Sequence, residues 1–202
     1  STELFNKLTE VAHSIFPSVK IQFSTFPVIS WMLMKEIFFP EHSVLLVDIG
    51  GELTEVTFIM DGCITEVLTL PFGVINILLR ISESEKMELE NALGLLKGYT
   101  DGVLADDVKI RVHNTIKKEM KLWEEYFERV WQRAERDLMN DVKMFFLGGG
   151  ALIREMQSAV APPLLHPRIT SRFESHLIAP DAFRDKFNEY CCLEGPGDFG
   201  LV

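Results

Sequence analysis

Two runs of glycine, each following an apolar stretch, are where this chain has the residues for chemistry. The first is Asp48-Ile49-Gly50-Gly51-Glu52-Leu53-Thr54-Glu55, entered through residues 43–49. An apolar run of that length ending in a carboxylate reads as a strand buried on both faces that delivers Asp48 at its C-terminal end. Gly50 and Gly51 then let the backbone turn sharply and approach a bulky ligand, and the amides of such a turn can form an anion-binding nest. Asp48 is placed to hold a magnesium ion, since hard cations take oxygen ligands. A plain Gly-Gly hairpin with a capped turn is the competing reading. The second run is Leu147-Gly148-Gly149-Gly150-Ala151-Leu152-Ile153-Arg154, after a second doubly buried strand at 142–147. Three glycines opening a helix allow a flat or charged group to lie on bare backbone at a positive helix end. The spacing is neither the G-x-G-x-x-G dinucleotide pattern nor a P-loop. Arg154 either stacks on a base or points into solvent.

The elements that must hold these runs follow from periodicity. Residues 3–16 carry Leu4, Leu8, Val11 and Ile15 at helical spacing, and Pro17 ends that helix. Residues 19–23 alternate and predict a strand; 26–39 predict an apolar helix entered at Pro27. Strands at 43–49, 55–60 and 63–70 form a meander, with Asp61-Gly62 as a two-residue hairpin turn. Pro71-Phe72-Gly73 leads into a helix at 74–81, and 83–97 reads as one further helical segment. From Asp107 to about Asn140 a single apolar stripe runs through Val108, Val112, Ile116, Met120, Trp123, Phe127, Val130 or Trp131, Ala134 and Leu138. It is either a helix lying on a sheet or a coiled-coil seam, with a break expected near 117–120. Trp123 and Trp131 share nearly one face, as core or as a partner groove. A short strand at 169–173, a closing helix at 180–190 and a loose tail at 194–202 complete an α/β layer fold, one domain over 1–193 with a helical insertion at about 83–140.

Composition excludes several classes. A formal charge of −10 argues against a nucleic-acid partner, which requires a clustered basic face. Cys63, Cys191 and Cys192 offer no zinc spacing and no disulfide framework, so a reducing compartment fits. The longest apolar stretch, 26–34, is far short of the ~20 residues of a membrane span. The five histidines show no ligand spacing, and His113 is expected to be solvated.

Together the glycine runs resemble the second domain of the actin, sugar kinase and heat-shock chaperone ATPase superfamily. That domain carries an Asp-x-Gly-Gly-x-Thr-Thr phosphate hairpin and, downstream, an adenosine-binding Gly-Gly-Gly before a helix. Phe26-Pro27-Val28-Ile29-Ser30 looks like the superfamily's first connecting segment, and Leu70-Pro71-Phe72-Gly73 resembles the Ile-Pro-x-Gly-Gly step of FtsA-like cell-division and PilM-like pilus-assembly proteins. The likeness covers residues 18–180. It implies an actin-like ATPase (ribonuclease H-like) domain, a mixed sheet with a three-stranded meander and flanking helices. It implies ATP or ADP with Mg2+ as cofactor, nucleotide contacts at Gly50, Gly51, Thr54, Lys97, Gly148, Gly149, Gly150 and Ala151, and a metal at Asp48. The expected role is a scaffold that associates with itself or a protein partner in pilus or secretion-machine assembly or in cell division. The expected location is the cytoplasm, at the inner face of the membrane through a partner.

Five positions depart from that pattern, one of them the step after the meander, where Gly73 keeps one glycine of the usual two. Glu52 places a carboxylate beside the phosphates, Leu53 replaces a hydroxyl residue, Phe26 stands where catalytic members carry Glu or Gln, and Gly94 replaces the Glu of the Glu-x-x-Lys pair that ends at Lys97. These losses fall on catalysis rather than on fold, so hydrolysis is expected to be weak or absent and no catalytic residue is assigned. The other readings are an active ATPase or sugar or acid kinase, and a pseudo-ATPase interaction module. A second phosphate hairpin belongs upstream of residue 1, so the resemblance implies an excised domain or a half-molecule with poor nucleotide affinity.

Overall fold

Seven successive residues of Ser43–Ile49 are buried but for Asp48, which is half-buried; this is β1, the centre of the molecule. A computed structural model describes residues 2–18, 20–21, 23–38, 43–137, 142–160 and 173–178. They fall into two units, one with described residues 2–33 and the other Met34–Ile178.

In the larger unit, β1 is followed by β2 (Thr54–Met60) and β3 (Cys63–Leu70), paired antiparallel as the expected meander. Asp61 and Gly62, both at positive φ, make the hairpin turn between β2 and β3, as a primed turn demands. β4 (Val142–Leu147) lies parallel to β1, and β5 (Phe173–Leu177) lies parallel to β4, giving the order β3-β2-β1-β4-β5. The short strand read at 169–173 therefore starts at Phe173; residues 169–172, 180–190 and the tail 194–202 lie outside the described residues.

The helices are α3 (Val74–Glu85), α4 (Leu89–Thr100), α5 (Asp106–Asp137) and the short α6 (Arg154–Ser158). The single segment expected at 83–97 is in fact two helices, because Lys86 adopts a left-handed conformation (φ 53°) and ends α3. The helix expected to break near 117–120 is continuous for 32 residues, about 48 Å. Its stripe is buried at Val112, Ile116, Met120, Trp123, Phe127, Val130, Trp131 and Ala134, in one core cluster with β1, β2, β4 and α3, so the stripe packs in the core and is no coiled-coil seam. Exposed ion pairs, Arg80 with Glu119 (2.9 Å) and Arg111 with Glu85 (3.3 Å), run between α3 and α5. Such pairs add little beside the core. The fold class is α/β, a five-stranded mixed sheet with flanking helices, as expected.

In the smaller unit, α1 (Thr2–Ile15) and the first part of α2 (Phe26–Phe38) are helical as expected. Between them residues 20, 21 and 23 have no regular structure, so the strand read at 19–23 is not formed at those positions. Phe5 and Phe23 meet edge-on at 4.9 Å. No helix among the described residues is long and apolar enough to cross a membrane.

Candidate functional site

The two glycine bends come off the ends of adjacent parallel strands. Asp48 of β1 is level with Leu147 of β4, so the chain leaves both strands on the same edge of the sheet. Gly148 has φ +81°, and a Cβ placed on it would collide with Asp48 Oδ1 and come within 2.5 Å of the Ile49 carbonyl oxygen. Asp48 therefore rests its carboxylate against the second bend. Gly150 is buried, and its missing Cβ makes room for the Ile49 side chain.

The first bend is held from below by the start of α3. Val74 N–H donates to the Gly50 carbonyl (3.1 Å), and Ile75 N–H donates to the Gly51 carbonyl (2.8 Å). Gly73 fits here because any side chain would sit 2.5 Å from the Gly51 carbonyl oxygen; its own N–H donates to Asn76 Oδ1 (2.9 Å). Gly50 N–H donates to the Leu53 carbonyl (3.0 Å) and closes the hairpin. Thr54 is fully buried, and its hydroxyl donates to the Phe72 carbonyl at 2.8 Å. Thr54 thus ties the hairpin to the segment before α3. Thr54→Val should cost about 1–3 kcal/mol by leaving that carbonyl unpaired, read as a lower urea midpoint at unchanged slope.

Gly51 and Gly149 differ from their neighbours. Neither has a positive φ, and a methyl group on either would meet nothing within 4 Å. Both are exposed, and among the described residues the amides of Gly51, Glu52 and Gly149 have no hydrogen-bond partner. Nothing in the folded chain requires glycine at 51 or 149; an unobstructed approach to the backbone is the remaining physical reason for it.

Asp48 is the charge at this place. Burial first, and then the facing carboxylate of Glu55 across the β1–β2 ladder, raise its pKa above the ordinary value. The folded chain therefore binds that proton more tightly than the unfolded one. The resulting stability is present below the unfolded value and is lost as pH rises through the folded value. Asp48→Asn removes one of two like charges directly opposite each other and should raise stability near neutral pH by about 1 kcal/mol. Urea melts should show the gain shrinking toward zero as the pH is lowered through the carboxylate range. A divalent cation is the other way to relieve this pair. Among the described residues no group of three or more His, Cys, Asp or Glu forms a metal cage, so an ion here would share one or two carboxylates with phosphate oxygens, the usual manner of magnesium.

The remaining expected residues are distributed as follows. Ala151 is buried, and its N–H donates to the Gly148 carbonyl (3.2 Å). The expected helix after the glycines is a single 3-10 turn, Gly149–Leu152, before the five-residue α6, so little helix dipole is aimed at the bend. Lys97 is exposed near the end of α4 and lines neither cleft described next. Glu52 and Leu53 are also exposed.

Beside the second bend lie two adjoining clefts of about 630 and 280 Å3, both lined by Thr100, Asp101, Leu152 and Arg154. Their walls are pinned together by a polar cluster that the spacing of residues gave no means of seeing. Tyr99 on α4 donates its hydroxyl proton to Glu155 Oε1 on α6, while His113 Nδ1 on α5 lies 2.8 Å from the Tyr99 oxygen and 2.9 Å from Glu155 Oε1. His113, expected to be solvated, is thus half-exposed and bonded. Burial, followed by the Glu155 carboxylate, pushes the Tyr99 phenol well above its ordinary pKa, so it stays a donor. Arg154 is exposed and lines both clefts.

A mixed sheet whose meander and parallel strand present two glycine bends on one edge is the fold of the actin-like ATPases. The chain is similar to the solved structure of ethanolamine utilization protein EutJ from Carboxydothermus hydrogenoformans (TM-score 0.52, 17% identity, 76% of this chain and 50% of that one). It is similar to the PilM-PilN type IV pilus biogenesis complex (TM-score 0.57, 18% identity, 83% and 47%). A third likeness is to a non-polymerisable quadruple mutant of pCBH ParM (TM-score 0.52, 15% identity, 86% and 57%). The chain spans about half the length of these structures, which fits the second domain of the fold. No family model matches the sequence, and no curated protein matches it.

Proposed function

We propose that this chain is the nucleotide-gripping half of an actin-like scaffold protein, which binds a nucleotide's phosphates with Mg2+ at the crevice between Gly51 and Gly149. The observation that carries this reading is the pair of glycines that neither backbone conformation nor packing requires, on either side of a carboxylate with a raised pKa. Perturbed carboxylates at a backbone crevice are the usual company of a ligand. Gly51, Glu52 and Gly149 supply free amides to phosphate oxygens, Asp48 supplies the oxygen for magnesium, and the Leu152 side supports the nucleoside. Gly50, Thr54 and Ala151 shape the bends, because their donors are engaged within the chain.

Hydrolysis is weak or absent in this reading, because Phe26 and Leu53 offer no group to position an attacking water or a phosphate. The working role is assembly with a protein partner or a second copy, in a membrane-associated machine of the pilus, secretion or division kind, on the cytoplasmic side. The PilM-PilN likeness supports a protein partner. A second reading, an interaction module that binds no nucleotide, is favoured by the engaged Thr54 hydroxyl and Gly50 amide and by exposed Glu52.

Thermal melts of the chain with millimolar ATP or ADP, with Mg2+ and with EDTA, separate the two. The first reading expects a Mg2+-dependent rise in the midpoint, about 2.7 kcal/mol when ligand is a hundredfold above Kd. Gly149→Ala and Gly51→Ala should leave the ligand-free midpoint unchanged or slightly raised, since alanine reduces unfolded-chain entropy at compatible positions, yet suppress the ligand-induced rise. Midpoints indifferent to nucleotide in the parent chain would establish the second reading. Steady phosphate release approaching the roughly 1–10^3 per second of ordinary enzymes would overturn the assignment as a non-hydrolysing scaffold.

A further inference from the structure

A row of unpaired main-chain groups runs along one side of the sheet. β3 ends the strand order, so β2 occupies one of its edges, and among the described residues no strand pairs with the other. An open edge is a template for another extended chain, since a strand supplies alternating donors and acceptors at the matching spacing. Proteins blunt such edges with exposed lysine, proline, inward-pointing charge or a covering element. β3 has little of this. Its eight residues include no proline, glycine or lysine, and those it exposes, Cys63, Thr65, Val67 and Thr69, are all uncharged. Thr and Val suit a pleated strand. The one charge on β3, Glu66, is taken up by Arg133 of α5. The ladder with β2 is irregular only between Phe58 and Ile59, toward the hairpin turn, and Glu66–Leu70 pair regularly.

The exposed side chains also indicate which strand fits. Thr65, Val67 and Thr69 read the same in both chain directions. A twofold axis lays one copy of a strand antiparallel to another, and such an interface must match itself, residue i meeting j where j meets i. Centred on Val67, the pair sets Val67 beside Val67 and Thr65 beside Thr69. Centred on Leu68, it sets Val67 beside Thr69. Either arrangement joins β-branched side chains across the strands and opposes no two charges of one sign. A register centred on Glu66 would face two carboxylates and is disfavoured. A partner strand of different sequence would require no such symmetry of β3.

We propose that two copies of this chain associate through their β3 edges, antiparallel, joining two five-stranded sheets into one. This surface is independent of the proposed nucleotide site at the ends of β1 and β4, and it gives the proposed assembly role a second copy as its partner. Each copy carries a formal charge of −10, so overall repulsion opposes the pairing until salt screens it.

The test is sedimentation of the 202-residue chain up to millimolar concentration in about 0.15 M salt, where the screening length is about 8 Å. Four samples are compared: the parent, Val67→Lys, Val67→Glu, and an equimolar mixture of the two variants. The parent should dimerise. Either variant alone should weaken the dimer roughly tenfold or more, because like charges meet across the edge. The mixture should recover association, since its heterodimers place Lys beside Glu. Val67 is exposed, so both variants should keep the parent's melting curve, and a loss of fold would not be repaired by mixing. A parent chain that stays monomeric would overturn the self-pairing and leave the assembly role to a different protein partner. A dimer that both variants leave intact, or a mixture no more associated than its components, would overturn the β3 edge as the interface.

Discussion

Trp123→Ala should be the most damaging core substitution in this chain, at about 3–5 kcal/mol. The indole is fully buried on α5, tilted against Phe72 at 5.5 Å and against Phe127 at 5.2 Å. Its Nε1–H donates to the Met156 carbonyl at 2.9 Å. Alanine would open a cavity among the sheet, α3 and α5 and would leave a buried carbonyl of α6 without its donor. At about 2–4 °C per kcal/mol for a chain of this size, the thermal midpoint should fall by roughly 6–20 °C. Trp123→Phe separates the two contributions. It keeps most of the apolar area and loses the hydrogen bond, so a penalty of about 1–3 kcal/mol is expected. Because the bond runs to Met156, both variants should also loosen α6 and the cleft wall that carries Arg154, which amide exchange at 154–158 would report.

The second large effect is expected at the other end of β4. Gly148→Ala should cost about 2–5 kcal/mol, from a φ of +81° and ψ of 170° that L-residues rarely adopt and from a side chain driven into Asp48 and the Ile49 carbonyl. The strain would push the Asp48 carboxylate off the second bend. Gly149→Ala, one residue further on, meets no such obstruction. The contrast between these neighbours in a denaturant melt is the sharpest check on the geometry of the bend: a difference below about 0.5 kcal/mol, the usual range of surface substitutions, would mean that the bend is shaped otherwise.

Much of the architecture was legible from residue order because the signals are local and strong. The doubly buried strands 43–49 and 142–147 announce themselves as largely apolar runs interrupted only by Asp48 and Lys143, Asp61-Gly62 as a primed turn, and the α5 stripe by its spacings of three and four. The errors fall where local signals are weak. The break at Lys86 needs a left-handed residue at a position where the sequence offers no glycine. Alternation at 19–23 marks residues suited to a strand but cannot supply a neighbouring strand to pair with.

The candidate site divides along the same line. By itself the sequence determined that two glycine bends follow two buried strands and that the first carries Asp48. Backbone permissiveness and burial pattern are properties of a few consecutive residues. Only the tertiary structure decided that β1 and β4 are parallel neighbours, which brings both bends to one edge. It also decided that the Thr54 hydroxyl and the Gly50 amide face inward, and that Gly51 and Gly149 alone of the bends' glycines have open space where a side chain would stand and no positive φ. The cluster of Tyr99, His113 and Glu155 was out of reach of spacing altogether, since it joins residues 14 and 56 apart through the packing of three helices. Hydrogen bonding across such separations is set by how helices pack, and no periodicity in the chain records it.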